Sequence, residues 1–160
     1  MALGLRNMEI ESLAAALERE HHEIDEGIEV FTADPAVGER DREPLARAVR
    51  ALRRHIYLEE EFLFPALHAA GLMAPVLVML REHGEMWGTL DALDDAADDD
   101  AALTLCRRLN VQLLHHNMKE EKILYPELER VVPEPQEERL RAFLQTGEMP
   151  ADWVCVRARG

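Results

Sequence analysis

The sequence predicts an all-α fold, an up-and-down antiparallel four-helix bundle with a short C-terminal helix and tail. Three observations predict it. Ala, Leu and Glu are abundant while aromatics make up only 5% of the chain, a balance that suits helices better than a sheet. Four long segments repeat apolar residues at steps of three and four. The connections between them are short enough for antiparallel neighbours. With 160 residues, 48% of them apolar, the chain can bury one core without staples.

The first helix is expected over roughly 9 to 32, with Leu17, His21, Ile24, Ile28 and Phe31 on one stripe. Residues 33–38, ADPAVG, break the pattern. The second helix starts near Pro44, a good first-turn residue, and runs to about Phe64. Its inner face carries Ala48, Leu52, His55, Glu59, Phe62 and Leu63, and Pro65 is expected to kink or end it. The third, from about Pro75 to Leu93, aligns Val76, Leu80, His83, Trp87 and Leu90. An acidic loop follows, DDAADDD at 94–100, whose last Asp is read as the N-cap of the fourth helix. That helix, from about 101 to 130, aligns Leu105, Leu109, Gln112, His116, Glu120 and Ile123. Residues 1–132 thus form the bundle, and 133–160 a helix and tail that are not an independent domain. Leu140, Phe143, Trp153 and Val154 let the tail dock on the bundle, on a second copy in a homodimer or on another protein.

A net charge of -14 argues against nucleic acid or an anionic membrane as partner, because phosphate binding needs clustered Lys and Arg. The two cysteines, Cys106 and Cys155, cannot build a disulfide framework or a Cys-based zinc site. Cys106 is expected to pack in the core, and Cys155 can be an exposed thiol. The start, MALGLRNMEIES, has no apolar signal region, and no stretch reaches the ~18 uninterrupted apolar residues of a membrane span. A soluble, cytoplasmic protein is expected.

Each apolar stripe is interrupted at its middle by a histidine: His21, His55, His83 and His116. Glu59 and Glu120 follow one turn after His55 and His116. A lone inward histidine is usually a hydrogen-bonded core residue, and a lone His-x-x-x-Glu an exposed pair worth about 0.2–0.5 kcal/mol. Register decides otherwise here. HIYLEEEFLFP at 55–65 recurs as HNMKEEKILYP at 116–126, and REHHE around His21 recurs as REHGE around His83. The chain is an internally duplicated helix pair in which only stripe positions keep ligand-type residues in both halves. Six buried ionisable groups at one level need a shared partner, and a metal is that partner. A metal-free bundle in which the histidines pair with Glu is the alternative. His22, His68 and His115 fall off the stripe and are read as solvated; so are Glu60, Glu61 and Glu121, although Glu60 and Glu121 recur and can support the ligands. Met79, Met86 and Trp87 fill the core near the site.

Four imidazoles with two carboxylates suit iron, ahead of manganese or zinc. The donors are richer in nitrogen than those of ferritin-like bundles, which use Glu-x-x-His and further Glu. The pattern His21…His55-x-x-x-Glu59…His83…His116-x-x-x-Glu120, with EExxLFP and EExxLYP, resembles the hemerythrin-like (HHE cation-binding) family over about residues 10–130. That resemblance implies a four-helix bundle around two iron ions, joined by an oxo or hydroxo bridge. It implies His21, His55, His83 and His116 as terminal ligands and Glu59 and Glu120 as bridging carboxylates.

The chain departs from the invertebrate oxygen carriers. Their additional histidine one turn before the third-helix ligand is replaced by Met79, and their His-x-x-x-x-Asp by His-x-x-x-Glu. About one open position per iron then remains, so the site can take a small ligand across both metals, as peroxide cleavage needs. The resemblance is closer to bacterial members, including those linked to iron-centre repair and nitric oxide chemistry; the cysteine-bearing N-terminal segment of those repair proteins is not seen here. The expectation is a di-iron protein handling hydrogen peroxide, dioxygen or nitric oxide, with peroxide decomposition as its enzymatic form. No separate acid or base stands out. The alternative is an oxygen, nitric oxide or iron sensor, store or repair module without turnover.

Overall fold

The computed structural model describes residues 10–33 and 40–160. The chain start and most of the break expected over 33–38 lie outside the described residues. Helix α1 spans Leu13–Ala33, α2 Glu43–Leu58, α3 Phe64–Ala69, α4 Met73–Asp94, α5 Asp99–Lys119, α6 Leu128–Val131 and α7 Glu134–Thr146. Among the described residues there is no strand, and no helix is long and apolar enough to cross a membrane.

Polar contacts at one end show that the helices alternate in direction. Arg40, before α2, donates to the carbonyl of Phe31 near the end of α1. Arg42 reaches Asp99 at the start of α5 and the carbonyl of Ala96 after α4. The ends of α1 and α4 therefore lie with the starts of α2 and α5, as an up-and-down bundle requires. Gly27 lets α1 and α2 approach: a Cβ there would lie 2.9 Å from the Ala48 Cβ and 3.0 Å from the Pro44 carbonyl oxygen.

The local signals explain where helices begin. Ser12 caps α1, its hydroxyl accepting from the Ala15 N–H at 3.1 Å. Pro44 sits in the first turn of α2 as expected. The α5 cap is Asp98, whose carboxylate accepts from the Ala101 N–H at 2.8 Å. This corrects the assignment to the last Asp of the loop: Asp100 is already in the first turn, where its charge faces the helix N-terminus.

The second correction concerns the prolines. Pro65 neither ends nor sharply breaks the helical path. The path widens just before it into a π turn, Glu59–Leu63, and resumes as α3 with Pro65 in its first turn. A proline offers no N–H, and its ring crowds the carbonyl four residues back. The wider turn, closed by the Phe64 N–H on the Glu59 carbonyl, separates those groups. The duplicate does the same at Glu120–Leu124 before Pro126, with the Tyr125 N–H on the Glu120 carbonyl. The fourth helix is accordingly not continuous to residue 130.

A π turn moves the helical register, and the inner-face expectations shift with it. Ile123 is 49% exposed while Leu124 is buried. Phe62 is half-buried on the flank, against Tyr57 and Phe143, while Leu63 and Phe64 face inward. Leu80, Leu105 and Gln112 are likewise half-buried, with Met79, Cys106 and Leu113 taking the inner places. The interior divides into two apolar clusters. One holds Ile24, Ile28, Phe31, Leu52, Trp87, Leu90 and Leu109, with Cys155 of the tail. The other holds Leu13, Leu17, Leu63, Leu67, Val76, Met79, Leu124 and Leu128, with Leu140 of α7.

The cap assignment is testable. Asp98→Ala should cost about 1 kcal/mol in urea unfolding, whereas Asp100→Ala should stay within about 0.5 kcal/mol of the parent.

Candidate metal centre

Between the two apolar clusters lies a layer of ionisable groups. His21 comes from α1, His55 from α2, His83 from α4 and His116 from α5, while Glu59 and Glu120 open the two π turns. All six are at most 3% exposed. One ligand atom from each of Glu59, His83, His116 and Glu120 lies within 4.8 Å of the others, and the same holds for His21, His55 and Glu120. Oε1 of Glu120 is 3.3 Å from His21 Nε2 and 3.1 Å from His116 Nε2. Oε1 of Glu59 is 3.5 Å from His55 Nε2 and 3.3 Å from His83 Nε2. The layer is thus two half-sites, His21/His55 and His83/His116, with each carboxylate reaching into both.

All four rings aim Nε2 inward because each Nδ1 is held from outside by a carboxylate. Glu121 holds His21 at 3.1 Å, Glu20 holds His55 at 2.9 Å, Glu60 holds His83 at 2.7 Å and Glu82 holds His116 at 3.1 Å. In a neutral ring an Nδ1–H donated outward leaves the Nε2 lone pair pointing in, which is the tautomer that metal ligation requires. Glu60 and Glu121 therefore support the ligands rather than merely coat the surface. Glu20 and Glu82 escaped the sequence reading. Their signal was there: each directly precedes a stripe histidine, and the two match in the duplication.

Inside the layer, Oε1 of Glu59, both carboxylate oxygens of Glu120 and Nε2 of His83 and His116 are buried with no hydrogen-bond partner. A buried polar atom left unpaired costs about 1–3 kcal/mol. Cations bound between the half-sites would satisfy all five, so the donor set fits a metal centre by position as well as by chemistry.

Without a metal, protons must balance these charges. Burial pulls the His21 imidazolium down, but the Glu120 carboxylate, 3.3 Å from its Nε2, outweighs it and pushes the ring up to about 9. The same opposition, with Glu120 and Glu82 as partners, pushes His116 up to about 10. Burial and the charge of Glu120 raise Glu59, while Glu120 is held low chiefly by His116 against its own burial.

Tyr125 adds a group that the sequence did not announce. Its hydroxyl donates to Glu59 Oε2 at 2.9 Å and lies 3.1 Å from His21 Nε2 and 3.2 Å from His55 Nε2. The phenol is buried, and burial among Glu120 and Glu59 pushes it well above its usual range, so it keeps its proton. In the other half-site the matching residue is Phe64, stacked on His83 at 5.3 Å. The Phe/Tyr difference was visible in the doubled motif. That it puts one O–H donor in one half-site emerges only from the packing.

His22, His68 and His115 are exposed. Met79, Met86 and Trp87 are buried around the layer, and Cys106 is a packed core residue. Glu61 stays outside and accepts from Trp153 Nε1 at 2.9 Å. The exposed-thiol reading of Cys155 is overturned: it is fully buried, and burial pushes its thiol up to about 11.

The raised histidines imply a pH dependence. Stability from a pKa raised above 6.5 is fully present below pH 6.5 and is lost as pH climbs through about 9 and 10. The unfolding free energy of the metal-free chain, read from urea titrations, should fall steadily over that window, by an amount on the order of 3 kcal/mol for His21. Glu120→Gln, which removes the charge responsible, should flatten the profile.

A family model, the hemerythrin HHE cation binding domain, matches residues 12–128. No curated protein and no solved structure matches the chain.

Proposed function

Because this chain belongs to the hemerythrin HHE cation-binding family and is a metal-binding domain of that type, we propose that its buried layer holds two iron ions and reacts with a small oxidant, hydrogen peroxide first. The observation that carries this reading is the set of five unpartnered buried donors converging on two half-sites that share Glu59 and Glu120. His21 and His55 would hold one ion and His83 and His116 the other, with the two glutamates common to both. Iron there supplies a redox-active Lewis acid pair for binding and reducing or oxidising the small molecule.

The chain's own residues set the conditions for that chemistry. The four outer carboxylates fix the imidazole orientation, so the site is organised before any ligand arrives. Ile56, Met86 and Leu113 of one apolar cluster and Leu17 and Met79 of the other, all at most 2% exposed, help to keep the interior dry. Turning peroxide into dioxygen and water moves protons from one peroxide molecule to the other. Tyr125 Oη, already donating to Glu59 Oε2, is an O–H inside the layer that can relay a proton, accepting one as it gives its own to that carboxylate, and so ends protonated.

The test is metal content, then gas evolution. Protein loaded anaerobically with ferrous iron should hold about two irons per chain, and should release dioxygen from peroxide. Glu59→Ala should abolish both the second iron and the gas. A wild-type chain that holds two irons yet leaves peroxide untouched would remove the turnover reading in favour of a sensing or storage role.

Tyr125 makes a separate prediction. Tyr125→Phe keeps the ring, so iron content should stay at about two per chain; loss of the hydrogen bond to buried Glu59 Oε2 should cost about 1–3 kcal/mol of stability, and the rate of dioxygen release should drop about 10²-fold. An unchanged rate assigns the proton path elsewhere.

A further inference from the structure

The duplication supplies an internal control, and the two halves are not treated alike. Glu60 and Glu121 occupy matching positions and make matching bonds to His83 and His21. Yet the Glu60 side chain is 5% exposed and that of Glu121 is 35% exposed. The difference is the C-terminal tail. The Val156 N–H donates to Glu60 Oε1 at 2.9 Å, while Oε2 of the same carboxylate holds His83 Nδ1 at 2.7 Å.

The tail reaches that place because of a second break in the repeat. Where the first half has His22 after its ligand histidine, the second has Gly84. A Cβ on Gly84 would lie 2.8 Å from the Arg157 Cβ, so only glycine lets the tail lie this close to α4. Buried Cys155 and the ring of Trp153, 5.6 Å from Trp87 and 5.1 Å from Tyr57, fasten the segment beside it.

The other end of the tail is tied to a second supporting carboxylate. Arg54 donates to the carbonyls of Leu144 and Gly147 at the end of α7 at 3.1 and 2.9 Å, and its Nη1 holds Glu20 at 3.0 Å. Glu20 in turn holds His55. The matching Glu82, which holds His116, pairs instead with Lys119, a side chain of α5.

From this arrangement we infer that the C-terminal segment 147–156 is a working part of the metal centre. It is a strap that positions one ligand histidine in each half-site, His83 through Glu60 and His55 through Arg54 and Glu20. Val156, Gly84, Glu60 and Arg54 are its positioning residues. The inference rests on the metal reading above.

Val156→Pro isolates the link. Cys155 already has the extended backbone, φ -60 and ψ 149, that a residue before proline adopts, and position 156 opens a 3-10 turn whose hydrogen bond uses the Ala158 N–H. The substitution therefore removes one hydrogen bond, that to Glu60, and keeps the chain path. Full-length metal-free protein is titrated anaerobically with ferrous iron against a competing chelator, and Trp153 emission reports whether the tail stays docked. The expected result is a docked tail with one of the two irons bound about 10-fold more weakly, the low end of what losing a ligand's outer partner itself costs. Gly84→Ala should reproduce that loss by displacing Arg157. Glu60→Gln, which keeps an acceptor for Val156 but gives up the charge on His83 Nδ1, should do so with the tail in place.

Wild-type affinities for both irons in Val156→Pro would overturn the strap, whatever Glu60→Gln shows, while leaving the metal reading intact. A wild-type chain that takes up no iron would overturn both.

Discussion

Six ionisable side chains are taken out of water in one layer, and the rest of the structure answers to that constraint. Each buried charge costs several kcal/mol unless it is compensated. The outer carboxylates compensate the imidazoles on their Nδ1 side, where Glu20, Glu60, Glu82 and Glu121 sit at 2.7–3.1 Å. On the inner side, Nε2 of His83 and His116 stand 3.3 and 3.1 Å from Oε1 of Glu59 and Glu120 without forming a hydrogen bond. A protein that needed only a stable bundle would gain by replacing these groups with Leu. The layer makes sense as an interior completed by cations, with the apolar clusters on either side holding it dry and rigid.

The supporting contacts cross between helices in a repeated pattern. The residue before each α1 or α4 ligand holds the ligand of the next long helix. The residue after each bridging-type glutamate holds a ligand of the opposite pair. Each helix pair therefore depends on the other for the orientation of its donors, which couples folding of the bundle to assembly of the site. The two π turns belong to the same design. They begin at Glu59 and Glu120 and are imposed by Pro65 and Pro126, so the turn that relieves the proline also places the carboxylate.

Function enters where the symmetry fails. Two equal half-sites would bind two metals and distinguish nothing between them. Tyr125 against Phe64 gives one half an O–H donor and the other an apolar wall. Gly84 against His22 admits Arg157 of the tail beside α4. These departures sit on a scaffold whose symmetric part is concerned with holding charge.

Much of this was legible in the residues themselves. Periodicity and the exact recurrence of the His and Glu positions determined the bundle, the layer and its six inward groups, because both are local properties of a helix that survive packing. The tertiary structure decided the rest. The outer partners of the histidines lie on other helices, so their pairing depends on how the helices stand beside one another. The inward positions at the second π turn, Leu124 and Tyr125 instead of Ile123, depend on a wider turn that a 3.6-residue period does not contain. The burial of Cys155 and the reach of Val156 to Glu60 depend on a tail whose docking no periodic pattern encodes.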